Sequence, residues 1–272
     1  MIGLRNTLVI AFYIISSAII PLTVQTQVAH SQEEVVIETQ DTPHATIDPE
    51  ALEILKEMSD TLISAKEFTF DTEITNDRTL DSGQTIQYSG TMKSSVERPD
   101  HVYAKFVGDR GTREVWYSGK KLTLYNENKK FYGQLETPGT IDATMDFLIE
   151  NYDFSLPLAD ILNANPYKSF METTIGGFVV GDSIVRGTEC THLAFTGKYV
   201  DWQIWISNDD PALPYKLVIN YKELEGIPQY QAIFSNWNLM PDIPDSVFKP
   251  NLPKDAVKID FINFKKEKGD TK

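Results

Sequence analysis

The sequence predicts an α+β fold in which helices cap a large curved antiparallel sheet, a half-closed β-barrel. Three observations predict it. A single helical stripe opens the ordered part of the chain, and a long series of short extended segments separated by turn residues follows. Strands and helices never alternate in the βαβ manner, and the apolar period changes only once more, midway. With 272 residues the chain is long enough for one large domain, and no internal linker or fixed-period repeat divides it.

The stripe lies in "DPEALEILKEMSDTLISAKEF". Asp48 is placed to cap the helix, Pro49 suits its first position, and Leu52, Leu55, Met58, Leu62 and Ile63 recur at helical spacing up to a stop near Ala65. Extended segments then flank turns at Asp81-Ser82-Gly83, Ser118-Gly119-Lys120 and Asn126-Glu127-Asn128, which reads as a meander. Ile141, Met145, Leu148 and Ile149 predict a helix starting near Thr140, and a second short helix is expected from Pro157 to Leu162. Extended segments resume at "TTIGGFVVGD" and continue through "QYQAIFSNWNL" to a last expected strand, "AVKIDFIN". The total is roughly ten or eleven strands and two or three helices.

The amino terminus reads as a secretory signal peptide, residues 1–31. Arg5 precedes an apolar run from Leu8 to Ile20, Pro21 breaks it, and Ala29-His30-Ser31 offers small residues for cleavage near Ser31. The run is short for a membrane span, and no cysteine follows it to carry a lipid anchor. The expectation is an exported, periplasmic protein. Residues 32–47 are an acidic, aperiodic lead-in expected to be disordered, residues 48–264 the folded domain, and residues 265–272 a charged tail. Cys190 is the only cysteine, so an internal disulfide is impossible and the core must carry the stability. With 25 Lys and Arg against 39 Asp and Glu, and no basic block, nucleic acid is an unsuitable partner, and membrane contact is peripheral or transient at most.

The stretch "VDWQIWISNDDPALPYKLVINY" carries a tryptophan on each face of a strand, because Trp202 and Trp205 lie an odd number of positions apart. Trp202 shares its face with Ile204 and Ile206, and the returning strand offers Leu217 and Ile219; Trp205 shares its face with Gln203 and Ser207. The first set is therefore expected on the concave side of the sheet and Trp205 on the convex side. A concave face that helices cover incompletely is an apolar pocket, and Trp202, Ile204, Ile206, Leu217, Ile219, Trp116, Phe147 and Leu148 are its candidate lining.

Cys190 and His192 in "TECTHLAF" lie two apart on an expected strand, so their side chains share a face. They are the one candidate polar pair. A nucleophilic pair needs a third orienting group and a metal needs further ligands, and neither stands at motif spacing, so a buried thiol beside a hydrogen-bonded histidine is the simpler reading. Asp209-Asp210 lies among turn formers and reads as a polar hairpin, and Gly176-Gly177 and Gly181 open no helix that would cradle phosphate. No catalytic residue, metal site or cofactor is expected.

The segments "REVWYSGKKLTLYNENKKFYGQLETPGTIDATMDFL", "LPLADIL", "GTECTHLAFTGKYVDWQIWI", "LPYKLVINYKE" and "FSNWNLMPDIPDSVFKPNLP" occur in family order and resemble domain-of-unknown-function family 2092, bacterial predicted periplasmic proteins. The resemblance runs from about Asp48 to Phe264. It implies a fold similar to the periplasmic lipoprotein carriers LolA and LolB, a half-closed antiparallel barrel whose concave apolar face is capped by helices. It supplies no catalytic residue, and the arginine with which LolA latches its lid has no counterpart placed among these motifs. Three functions compete. The first is a periplasmic binding or carrier module for an apolar ligand, a lipid or an acylated lipoprotein. The second is a non-catalytic cell-envelope interaction or scaffold protein whose interior is filled by its own side chains. The third, least supported, is an enzyme using Cys190 and His192.

Overall fold

The structure, a computed structural model, describes residues 46–152, 154 and 158–261. The expected signal peptide, nearly all of the lead-in and the charged tail lie outside the described residues.

Helix α1 (Pro49–Ser64) begins where its cap predicts: Asp48 Oδ1 accepts from Glu50 N at 3.0 Å. Its buried stripe is Ala51, Leu55, Met58, Ser59 and Leu62. The stripe expected from the sequence is thus shifted slightly. Leu52 is half-buried and Ile63 is 42% exposed, because spacing of three and four from Leu55 selects Ala51 and Leu62 and turns Ile63 away by one residue.

The strands are β1 (Glu67–Thr79), β2 (Thr85–Glu97), β3 (His101–Gly108), β4 (Gly111–Ser118), β5 (Lys121–Asn126), β6 (Phe131–Glu136), β7 (Thr174–Val185), β8 (Thr188–Gly197), β9 (Val200–Ser207), β10 (Pro214–Tyr221), β11 (Gln229–Asn238) and β12 (Val257–Lys258). They form one open sheet in the order β12-β6-β5-β4-β3-β2-β1-β11-β10-β9-β8-β7. Two meanders therefore share β1. The first wing runs outward from β1 to β6; the second starts at the far edge with β7 and returns, so that β11 pairs with β1 (Thr72 opposite Phe234, Ile74 opposite Ala232). Phe68, Phe70, Thr72 and Ile74 of β1 alternate into the core that both wings share. Gly119 at φ +64° makes the tight β4–β5 turn that its sequence signals.

Between the wings the chain crosses the concave face as α2 (Ile141–Tyr152), α3 (Ala159–Leu162) and α4 (Pro166–Met171). The first two lie where the change of period predicts them. Helix α4 does not follow from apolar period, being too short to show one. Its signal is the start: Asn165 caps Lys168 N at 2.9 Å and Pro166 takes the first position. The next residue ties it to α1, since Tyr167 N donates to the buried Ser59 Oγ at 2.9 Å. Among the described residues of the last expected strand, Val257 and Lys258 pair, in parallel with β6. At the opposite edge Ile47 makes a parallel bridge to Gly177 of β7.

Candidate functional site

On the second wing the register sets Phe195 beside Trp202, Trp202 beside Ile219, and Ile204 beside Leu217. These residues and Ile206 belong to the main core, on the face that α1 and α4 cover. Trp202 is 4% exposed. Its ring stacks on Phe195 at 4.1 Å and on Phe170 of α4 at 4.8 Å, and its Nε1 donates to Thr174 Oγ1 at 3.1 Å. The space expected here as a pocket is taken up by three stacked rings.

Trp205 points the other way, into a small cluster with Val185, Cys190 and Val218. It is only 8% exposed, although it lies on the convex side. The cause is a sandwich: His192 stacks on the indole at 3.9 Å, nearly parallel, and Lys216 Nζ stands 4.3 Å from its centroid. His192 Nε2 is 2.9 Å from Gln203 Oε1, and desolvation holds its pKa below the ordinary value. Cys190 Sγ donates weakly to Thr188 O at 3.5 Å, and burial pushes the thiol up to about 11. A nucleophilic cysteine needs the opposite shift. The pair shares a face, with the thiol and the imidazole each engaged elsewhere.

The first wing is different. Beneath α2, Val102, Val115, Leu122, Leu124, Met145 and Leu148 surround an apolar cavity of about 20 Å³. Leu148 is buried; Phe147, one residue back around the helix, is half-buried against Tyr152 at 5.7 Å. Trp116 is a correction to the expected lining. The residues that line the cavity from β4 are Val115 and Tyr117, so Trp116 between them faces the convex side, where it packs on Tyr103 at 5.7 Å. Phe248, in a short 3₁₀ turn (Asp245–Phe248), packs on His101 on that same outer face. Trp116 is buried on the outside of the sheet.

Arg98, which no sequence motif singled out, sits in the β2–β3 turn and joins the covering helices to the sheet. Its Nη1 donates to Leu62 O (2.6 Å) and Ala65 O (3.1 Å) at the end of α1. Its Nη2 donates to Ile161 O (3.3 Å) and Asn163 O (2.9 Å) at the end of α3. The guanidinium lies over Phe68 at 4.8 Å, and burial lowers its pKa to about 10 while nearby Asp142 opposes that shift. Asp142 Oδ1 also accepts from Ala164 N at 3.0 Å. A planar fork satisfies orphan carbonyls at two helix ends at once. Recognition of main-chain oxygens leaves no partner side chain in the sequence to betray it.

Beside this latch, Asp160 of α3 accepts from Ser169 Oγ of α4 at 2.7 Å. Tyr221 of β10 and Tyr230 of β11 are buried diagonal neighbours on the concave face, and the Tyr221 hydroxyl has no hydrogen-bond partner among the described residues. The concave face therefore combines an aromatic stack, an aliphatic cavity, and a helical cover held by polar bonds.

A family profile described as "Predicted periplasmic protein (DUF2092)" matches residues 51–262. No curated protein matches the sequence. Among solved structures the chain is similar to the Mycobacterium tuberculosis lipoprotein LppX, at 13% identity and a TM-score of 0.47, over 72% of this chain and 100% of that one. It is also similar to the LolA superfamily protein NE2245 from Nitrosomonas europaea, at 12% identity and a TM-score of 0.34, over 74% and 98% of the two chains. MucB in complex with MucA(peri) is similar at 16% identity and a TM-score of 0.39, over 74% of this chain and 60% of that one. The chain belongs to the DUF2092 family of predicted periplasmic proteins.

Proposed function

We propose that this chain is a periplasmic binding or carrier module that takes up an apolar ligand, a lipid or the acyl chains of a lipoprotein, on the concave face of its sheet. The observation that carries this reading is the way the cover is held. The end of α3 meets the sheet side through one arginine bonded to four main-chain carbonyls. Water can replace such bonds when a helix lifts, so the cover is releasable in a way that a purely apolar helix packing is not. Release is needed: ligand pockets span about 300–1,000 Å³, whereas the cavity beneath α2 holds about 20 Å³.

The ring stack supports a second reading, a cell-envelope interaction or scaffold protein whose interior is filled by its own side chains. One measurement separates the two. Single-tryptophan variants keep either Trp202 or Trp205 and carry Phe at the other three tryptophans. A twelve-carbon amphiphile added below its micelle concentration is expected to shift the emission of the Trp202 variant and leave the Trp205 variant nearly unchanged. A folded protein in which neither responds supports the scaffold reading.

A further inference from the structure

Three of the five arginines among the described residues gather at one end of the concave face. They are Arg78, Arg110 and Arg113; Arg98 holds the cover, and Arg186 pairs with Glu73 on the convex side. The register fixes their direction. Val115 and Tyr117 of β4 line the cavity beneath α2, so Arg113, two residues before Val115, points to the same side. Arg78 of β1 is in phase with the buried Ile74 and lies opposite Ile86 of β2. Arg110, in the β3–β4 turn, sets its guanidinium 5.2 Å from the ring centroid of Tyr88, which is the diagonal neighbour of Arg78. Arg113 Nη2 donates to Arg110 O at 3.3 Å, which brings these two together at the foot of the turn. All three arginines are half-buried.

The acids next to them in the chain point away. Asp109 accepts from Ser89 N and Oγ, Asp77 from Gln87 Nε2, and Glu114 from Tyr103 Oη, all on the convex side. Asp146 and Glu150 lie on the exposed side of α2. In a chain with 39 Asp and Glu against 25 Lys and Arg, this end of the concave face is a local reversal of charge. Partial burial lowers the Arg113 pKa, and the like charge of Arg110 lowers it further. Inward from the arginines the same face is apolar. Phe106 stands opposite Arg113, and the next row is Ala104, Val115 and Leu124, of which the last two line the cavity. Two residues along a strand span about 7 Å. A charged head at Arg113 therefore lays its chain over Phe106 and Val115 and directs it beneath α2. We infer that Arg110 and Arg113, flanked by Arg78, receive the head group of the apolar ligand, and that this head is an oxyanion, a carboxylate or a phosphate. A guanidinium presents its N–H donors as a planar fork that matches either one. The inference rests on the carrier reading and narrows it, from any lipid or acylated lipoprotein to an amphiphile with an anionic head.

Laurate, dodecanol and dodecylammonium share a twelve-carbon chain and test the head group alone. Binding to the full mature protein is followed below micelle concentration, in about 0.15 M salt, by native mass spectrometry and by displacement of 1-aminoanthracene, an uncharged apolar dye. The formal net charge of −14 over the whole chain favours the cation non-specifically, so a preference for laurate isolates the arginines. Laurate is expected to bind at least fivefold more tightly than dodecanol, with dodecylammonium weakest. Arg110→Gln and Arg113→Gln are each expected to weaken laurate severalfold and leave dodecanol unchanged. Arg113→Lys keeps the charge without the fork and is expected to retain part of the preference, while Arg186→Gln on the convex side changes nothing. Laurate no tighter than dodecanol overturns the inference, as does a preference that survives the double substitution of Arg110 and Arg113 in a protein shown to be folded. Inorganic phosphate that competes with laurate at equal concentration overturns the assignment to a lipid head and makes this a site for free anions. If none of the three amphiphiles binds, the carrier reading falls and the inference with it; if dodecanol binds as well as laurate, only the inference falls.

Discussion

The two wings of the sheet solve the same packing problem differently. Beneath α2 the first wing meets its cover with aliphatic side chains and leaves a small void among Val102, Leu122 and Leu148. The second wing meets its cover with flat rings, Phe195 on Trp202 on Phe170, and carries the half-buried Asp160 on its cover and two buried tyrosines on its strands. Aliphatic packing is non-directional and tolerates a changed neighbour. Stacked rings have a preferred geometry, and the outer ring belongs to the short helix α4. Motion of α3 and α4 would therefore uncover a preformed aromatic shelf on the second wing, whereas the first wing offers room for adjustment.

The largest expected effect separates the wings directly. Phe170→Ala removes the ring that covers Trp202 and is expected to cost about 3–5 kcal/mol in urea unfolding, with a red-shifted Trp202 emission. Leu148→Ala in the first wing is expected to cost about 2–5 kcal/mol with no change in that emission. Equal spectral effects would mean that the wings are one continuous packing unit.

Next in size, Arg98→Met keeps the apolar stem and removes the fork, leaving carbonyls at two helix ends to water. A loss of about 2–3 kcal/mol is expected, of the order of a charge-assisted hydrogen bond. Amide exchange is expected to rise first at Ile161 and Asn163 and along the end of α1. Exchange that rises uniformly over the sheet would show that Arg98 supports the whole core and not its cover.

The smallest effect lies on the convex side. His192 is held neutral by desolvation, with its pKa lowered from 6.5, so the folded state binds its proton less readily than the unfolded chain. Its contribution is constant above pH 6.5 and turns unfavourable as pH falls through that value toward the lower folded one. His192→Gln is expected to flatten a shallow loss of stability below pH 6.5. The ring is only half-buried, so the effect is small. Ligand uptake on the concave face is expected to be unaffected by the substitution.

Much of this architecture is written in local pattern. The cap at Asp48, the turn at Gly119 and the alternation that separates Trp202 from Trp205 each depend on neighbours a few residues away, and the structure has them in place. Trp116 shows where such reading stops. Its face depends on the register that the β3–β4 and β4–β5 turns impose, and an apolar Val115-Trp116-Tyr117 run carries no alternation from which to deduce it. Arg98 and Asp160 are illegible for another reason. Their partners are main-chain oxygens and a serine in the next short helix, none of which forms a spacing motif.

The shared strand β1 also dictates an order of events. Its pairing with β2 is local and can form as soon as the first hairpin exists, but its other edge waits for β11, where Thr72 finally meets Phe234. Those two residues are 162 positions apart (234 minus 72), and closing so long a loop is slow compared with zipping a hairpin. Until β11 arrives, Phe70 and Trp237, whose rings come within 4.6 Å in the finished protein, have no partners in each other. The central seam is thus sealed only when most of the chain is available.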